Sequence, residues 1–448
     1  MTVRLLNFRF LRKFAFGGIV MTFLGWLLYT SYLSTNNSTL HRNLGEFFDV
    51  GPKQTANISM ASHSDELALT SLSEIRKLRA LRKLVGNRNV RALEKLGKLS
   101  AERKNFRYVI VAQIHNRLAY IRALLDSLAG THNISDALVI FSHDVVDEQI
   151  DNFVWDADTT FEIVQIYFPH SLQLHPNEFP GPSALDCPDR ISKAEAASLR
   201  CNNHDHPDSY GHYRTAKVTQ IKHHWWWKFH VLFNHVPWAQ NGLPVIFLEE
   251  DHYVLPDALS ILDRLLAMRD TACAPKCPVL SIGHHKTKLT EEPNAYRKYF
   301  VEQWAGARDN IGIVFDFDHY KAINSCASIF CTVDDYNWDW SLNFLTDRCL
   351  KKEYKMLLPL APRVLHIGDC GGLHHSQGCN PRDSVRKAKE TVSAVETQLF
   401  PDKLEKITSE SLPKLRNPKP NGGWGDPRDI ELCQNVSQSF RFGMEHVN

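Results

Sequence analysis

No cysteine occurs before position 187, and several familiar motifs are missing altogether. The chain has no Gly-x-x-x-x-Gly-Lys-Ser/Thr segment and no Gly-x-Gly-x-x-Gly. The loops that cradle phosphates in P-loop enzymes and dinucleotides in dehydrogenases are therefore absent, which disfavours a kinase, a P-loop sulfotransferase and a typical dehydrogenase. No Gly-x-Ser-x-Gly elbow is present, against an ordinary serine hydrolase. No internal repeat is found, so a solenoid is excluded. Net charge is only +2 over 448 residues, so the chain as a whole is not built to coat nucleic acid.

Charge is also missing from residues 14–33, an apolar run of twenty residues preceded by Arg4, Arg9, Arg12 and Lys13. About 20 residues suffice to cross the hydrocarbon core. Trp26, Tyr29 and Tyr32 lie towards its far end, where interfacial aromatics belong. The basic flank stays cytosolic. The expectation is a cytoplasmic tail at 1–13, a signal-anchor at 14–33 and a luminal body in a single-pass type II protein. A cleaved signal peptide is the competing reading, but the run is long for one and no small-x-small site closes it. Five Asn-x-Ser/Thr sequons (Asn36, Asn37, Asn57, Asn133, Asn435) and ten cysteines, all from position 187 onward, agree with an oxidising lumen and five disulfides. Zinc at Cys273-x3-Cys277 is the alternative, but no second ligand pair follows at finger spacing.

Residues 34–64 are polar and rich in Ser, Thr and Asn, a tether. From Leu67 to Leu99, apolar residues recur every third position among basic ones, as in an amphipathic helix or helix pair. Between Arg76 and Arg107 twelve Lys or Arg face only Glu94 and Glu102. The stem is assigned to 34–105 and the catalytic body to 106–448. Tyr108–Ala112, a helix over 115–128 and Ala137–Phe141 form a βαβ unit. Phe161–Tyr167, Val245–Leu248 and Val279–Ile282 add strands, with a helix over Asp257–Met268. The predicted class is α/β around a central sheet.

The strand Val245–Leu248 stops at Glu249, Glu250 and Asp251. Three adjacent carboxylates repel unless a cation sits among them. Ligands in open α/β sheets bind beyond the carboxyl ends of strands, and oxygen ligands there suit Mn²⁺ or Mg²⁺. "QIHNR" (113–117) ends the first strand, where Arg117 is placed to reach a phosphate. "FSHD" (141–144) ends the second, with Asp144 available to a base edge or ribose hydroxyl. In "QIKHHWWWK" (220–228), three consecutive Trp imply a buried helix whose polar edge holds Gln220, Lys222, His223 and His224. "TVDDYNWDWSL" (332–342) is a second acidic cluster. Asp339 opens a helical pattern between two Trp, a setting that suits a general base on a sugar hydroxyl. His366 ends the strand in "RVLHIGDCGG", and a neutral imidazole is a good Mn²⁺ ligand.

These segments, with "HYRTAKVTQIKHHWWWK", "FLEEDHY", "DDYNWDW", "HIGDCG" and "NGGWGD", together resemble the N-acetylglucosaminyltransferase II family from about residue 106 to 434. The resemblance implies a type II Golgi membrane protein with a GT-A, Rossmann-like nucleotide-sugar domain. It implies Mn²⁺, UDP-GlcNAc as donor and an N-glycan acceptor, the α1,6-arm mannose of a glycan whose α1,3 arm already carries GlcNAc. It implies that Asp251 and His366 bind the metal and that Asp339 is the base of an inverting displacement. Donor contacts then fall on Gln113, Ile114, His115, Asn116, Arg117, Asp144, Gln220, Ile221, Lys222, His223, His224, Glu249, Glu250 and Asn310. The implied disulfides are Cys187–Cys201, Cys273–Cys277, Cys326–Cys349, Cys331–Cys433 and Cys370–Cys379. Residues 284–300 depart from the family pattern. A sibling β-1,2 transferase and a non-catalytic luminal lectin remain the alternatives, and oligomeric state is open.

Overall fold

Strand β1 (Tyr108–Ile114) is the centre from which the sheet is built. Its sequence, YVIVAQI, is almost continuously apolar and almost wholly buried, as expected of a parallel strand covered on both faces. In a computed structural model the described residues are 64–273, 277, 279–286, 290–350, 354–370, 379–407 and 421–441. The apolar run 14–33, the tether and the sequons Asn36, Asn37 and Asn57 lie outside them. Among the described residues no helix is long and apolar enough to cross a membrane. The chain divides into two units, Met1–Glu74 and Ile75–Asn448. Of the first, the described part is the opening of helix α1 (Ser64–Ala101).

Among the described residues nine strands form one mixed sheet in the order β11-β7-β9-β6-β8-β4-β1-β2-β3. One half is parallel: β3 (Glu162–Tyr167), β2 (Ala137–His143), β1 and β4 (Val245–Glu249). This is the predicted βαβ core, with helix α2 (Leu118–Ala129) as its first crossover. Beyond β4 the direction changes. β8 (Ile313–Phe315) runs antiparallel to both β4 and β6 (Val279–Ser281). β9 (Lys355–Pro359) and β7 (Lys298–Gln303) extend the sheet, and two-residue β11 (Glu405–Lys406) ends it. A separate ribbon pairs β5 (His252–Val254) with β10 (Val364–His366), setting His252 opposite His366.

Helix α3 (Ala216–His235) carries the triple tryptophan, and all three rings are buried in different directions. Trp225 stacks on Trp338 with centroids 4.5 Å apart. Trp226 stacks on Phe330 at 4.1 Å, and Trp227 leans on Phe168 at 5.7 Å. The run is packing, and α3 is apolar on most sides because the fold surrounds it. Helix α4 (Ala258–Ala272) covers the sheet near β6. All five disulfides have the pairing the resemblance implies. Cys273 and Cys277 are bonded to each other, so zinc is not their partner.

From Ile75 onward α1 belongs to the same compact unit as the sheet, although the sequence assigned it to a stem. It caps an edge. Asn89 Nδ2 donates to the Tyr167 carbonyl and its Oδ1 accepts from the Tyr167 N–H, both at 2.7 Å. Lys95 Nζ donates to the Ile163 carbonyl at 2.8 Å. These bonds occupy backbone groups of edge strand β3 that would otherwise invite pairing. Leu96 and Leu99 are buried beneath the helix. Burying two such side chains contributes on the order of 3–6 kcal/mol. A chain begun at residue 106 is therefore expected to melt well below one begun at 64 and to aggregate. Equal melting curves in differential scanning calorimetry would show that α1 is dispensable.

Candidate active site

Three strand ends meet at one level. Register places Gln113 of β1 beside Ser142 of β2 and Glu249 of β4. The chain leaves each strand still bonded to its neighbour: Glu250 N–H donates to the Gln113 carbonyl at 2.9 Å, and Asp144 N–H to the Ile114 carbonyl at 3.2 Å. Asp144, Glu250 and Asp251 are thereby fixed over the carboxyl edge of the parallel half.

The acidic run has an internal cation. Arg117 Nη2 donates to Asp251 Oδ2 at 2.8 Å, and its Nε pairs with Glu250. Glu250 also accepts from the His115 N–H at 2.7 Å. Arg117 is thus committed to the carboxylates rather than extended towards a phosphate, as the sequence suggested. Burial pushes Asp251 upward, but Arg117, His366 and His252 outweigh it and hold its carboxyl below the ordinary range. Burial, with Asp251 next door, raises Glu249, while Lys228 opposes the rise.

His366 Nε2 lies 3.6 Å from Asp251 Oδ2. The other oxygen, Asp251 Oδ1, is buried without a hydrogen-bond partner. A buried carboxylate oxygen is costly to leave unmatched. Gly368 faces the same spot: a Cβ there would stand 2.0 Å from Asp251 Oδ2 and 3.0 Å from His366 Nε2. Glu249, Asp251 and His252 place ligand atoms within 4.8 Å of one another. His252 is buried and kept neutral, its imidazole pushed down to about 3 by burial. The donor set, carboxylate oxygens and imidazole nitrogens, fits a divalent first-row cation.

Helix α5 (Trp338–Arg348) carries Asp339 in its first turn. Asn310 Nδ2 donates to Asp339 Oδ2 at 2.9 Å, and Trp340 N–H to Oδ1 at 2.8 Å. Burial drives this carboxyl up to about 7, against the Trp340 bond, with Glu249 and Asp335 adding to the rise. The neighbouring acids do other work. Asp334 accepts from the Ser209 and Trp424 N–H groups. Asp335 accepts from those of Asn337 and Asn421. "NGGWGD" is accordingly a buttress for the turn that presents Asp339.

The remaining sequence-selected residues separate into two groups. His115 Nδ1 lies 2.7 Å from Asp144 Oδ1, and Gln220 Nε2 donates to Asp144 Oδ2 at 3.1 Å. His224 bonds Ser142 Oγ at 2.8 Å. These residues line the strand ends, where exposed Asn116 also lies. Ile114 is in the core and Ile221 is half-buried on α3. Lys222 and His223 do not reach the strand ends. Lys222 Nζ donates to the Val333 and Asp335 carbonyls at 3.1 and 3.0 Å, and His223 bonds Asp429 at 2.8 Å. Both are spent on the acidic turn and the last helix (Pro427–Arg441), because they occupy a different face of α3 from Gln220 and His224. Sequence reasoning missed His252, Gly368 and Lys228. Lys228 had a signal: Gln220, His224 and Lys228 recur every four residues, one stripe of the helix.

A model of the N-acetylglucosaminyltransferase II family matches residues 82–433. The chain belongs to the N-acetylglucosaminyltransferase II family. It is 42% identical over 330 residues to the mouse alpha-1,6-mannosyl-glycoprotein 2-beta-N-acetylglucosaminyltransferase, covering 73% of each chain. It is 37% identical over 396 residues to the human enzyme of that name, covering 86% of this chain and 85% of that one. The Arabidopsis thaliana enzyme of that name is 28% identical over 346 residues. The family match begins inside α1, in keeping with the packing of that helix on the sheet. Among solved structures, S. aureus TarS in complex with UDP-GlcNAc covers 64% of the chain at 9% identity and a TM-score of 0.31, too loose a likeness to carry weight.

Proposed function

We propose that this member of the N-acetylglucosaminyltransferase II family transfers GlcNAc from UDP-GlcNAc in β-1,2 linkage to the α1,6-arm mannose of an N-glycan whose α1,3 arm already bears GlcNAc. The observation that carries the reading is a pair of carboxylates in unlike settings: Asp251, with His366 Nε2 3.6 Å away and its other oxygen buried and unmatched, and Asp339, held by Asn310 and Trp340 and pushed up by burial. Carboxyls pushed apart in this way take different roles. The parallel strand ends and the family match support a GT-A type nucleotide-sugar domain, with the chain anchored as a type II protein of the Golgi membrane by residues 14–33.

In this reading Asp251 and His366 would hold Mn²⁺, with Glu249 and His252 placed to offer further ligand atoms. The bound ion supplies neutralising charge to the leaving diphosphate. Asp339 removes the proton from the mannose 2-hydroxyl as that oxygen bonds to C1 of the donor sugar. The bond from C1 to the diphosphate oxygen breaks with its electron pair, UDP leaves, and the α-linked sugar becomes β-linked. Asn310 orients the base by holding one of its oxygens. One displacement suffices, so no covalent enzyme intermediate forms.

The test uses the full chain with UDP-GlcNAc, Mn²⁺ and two acceptors, each with a single GlcNAc on one arm. Transfer is expected only to the acceptor whose α1,3 arm is substituted, and EDTA is expected to stop it. Preference for the other isomer would make the protein a sibling transferase. Glycan binding without UDP release would make it a lectin.

A further inference from the structure

A lysine side chain lies under the strand ends and no step above uses it. Lys228 of α3 is 1% exposed. Its Nζ donates to Gln113 Oε1 at 2.6 Å and stands 6.0 Å from the Phe247 ring centroid. Burial pulls its ammonium down to about 7, against the carboxylates of Glu249 and Asp144, which favour the charged form. Gln113 is half-buried at the end of β1, level with Glu249, where a ligand of a parallel sheet lies.

A glutamine amide has two chemically opposite ends that interchange by a flip. At the Lys228 contact Nζ is the donor, so the end of Gln113 that faces it is the oxygen. The NH2 is thereby turned away from Nζ. We propose that Lys228 is a positioning residue for the donor: it locks Gln113 so that its NH2 meets an acceptor oxygen of the nucleotide sugar. This rests on the donor site proposed above. Without Lys228 the amide is free to present its oxygen instead, which an oxygen of the ligand repels.

Lys228→Met and Gln113→Leu, singly and together, test this in the full chain. Losing one such hydrogen bond is expected to raise KM for UDP-GlcNAc about tenfold, with kcat within about twofold. Because both act through one contact, the double variant should be no worse than either single. Titrations with UDP, UMP and uridine locate the oxygen: a loss already present with uridine assigns it to the nucleoside, and one present only with the phosphorylated ligands assigns it to phosphate. Multiplying effects in the double variant, or an unchanged KM in Lys228→Met, would overturn the proposal. So would a Lys228→Met that loses its thermal transition, which would make the residue a core element. If the wild-type chain itself binds no UDP, the donor site falls and this proposal with it. If wild type and Lys228→Met bind alike, only this proposal falls.

Discussion

Asp339→Asn is expected to lower kcat by about 10²–10⁴-fold, the range for removing a general base, while UDP binding stays unchanged. Asn keeps the shape, and its oxygen can still accept from the Trp340 N–H while its NH2 meets a flipped Asn310 amide, but it cannot accept a proton. The pH profile adds a second reading. The carboxyl is raised to about 7 by burial, with Glu249 and Asp335 contributing. Its active form is the carboxylate, so wild-type kcat should climb as pH rises through about 7 and level off above. The variant should lack that limb. Stability runs the other way. Between the ordinary carboxylate range and 7 the folded chain holds a proton that the unfolded chain has released, so this group stabilises least once pH exceeds 7. Asp339→Asn should therefore melt no lower than wild type at pH 8. A variant with near-normal turnover would remove Asp339 from its role.

Gly368→Ala is the second large effect. The new Cβ would sit 2.0 Å from Asp251 Oδ2 and 2.7 Å from its Cγ. Asp251 is buried and tied to Arg117 at 2.8 Å, so it has no room to retreat. Displacing it should weaken metal-supported UDP binding by about 10–100-fold, the usual loss when the groups that orient ligands are disturbed. Gly97→Ala is the control, since nothing lies within 4 Å of a Cβ there. In mid-helix it should stabilise by roughly 0.5–1 kcal/mol and leave UDP binding alone. Calorimetric titration of UDP with Mn²⁺ reads both variants. Wild-type affinity in Gly368→Ala would show that Asp251 does not anchor the ion.

The parallel half of the sheet was legible because its strands are long apolar runs that stop abruptly. Val245–Leu248 breaking into Glu249, Glu250 and Asp251 is the clearest case. Asp339 stood out because acids rarely lie between two Trp without cause. Of the antiparallel half only β6 was legible, as Val279–Ile282. β8 has three residues and β7 carries Lys298 and Glu302, so neither length nor alternation separates them from loops. The division of labour among Asp334, Asp335 and Asp339 was hidden for another reason. The N–H groups that claim the first two come from Ser209, Asn421 and Trp424, far away in the chain. The pairing of Arg117 was hidden because its partners, Glu250 and Asp251, lie more than a hundred positions on. Family motifs named Asp251 and His366; only the fold shows the uncommitted Asp251 Oδ1 and the glycine that keeps the space beside it open.

In the proposed function a divalent cation at Asp251 and His366 would retain the sugar diphosphate. The direct measurement is isothermal titration of UDP into the full chain with Mn²⁺, with EDTA, and with Asp251→Asn in Mn²⁺. Saturable binding in the first case, and at least a tenfold loss in the other two, is the predicted result. Equal affinity in all three would contradict it.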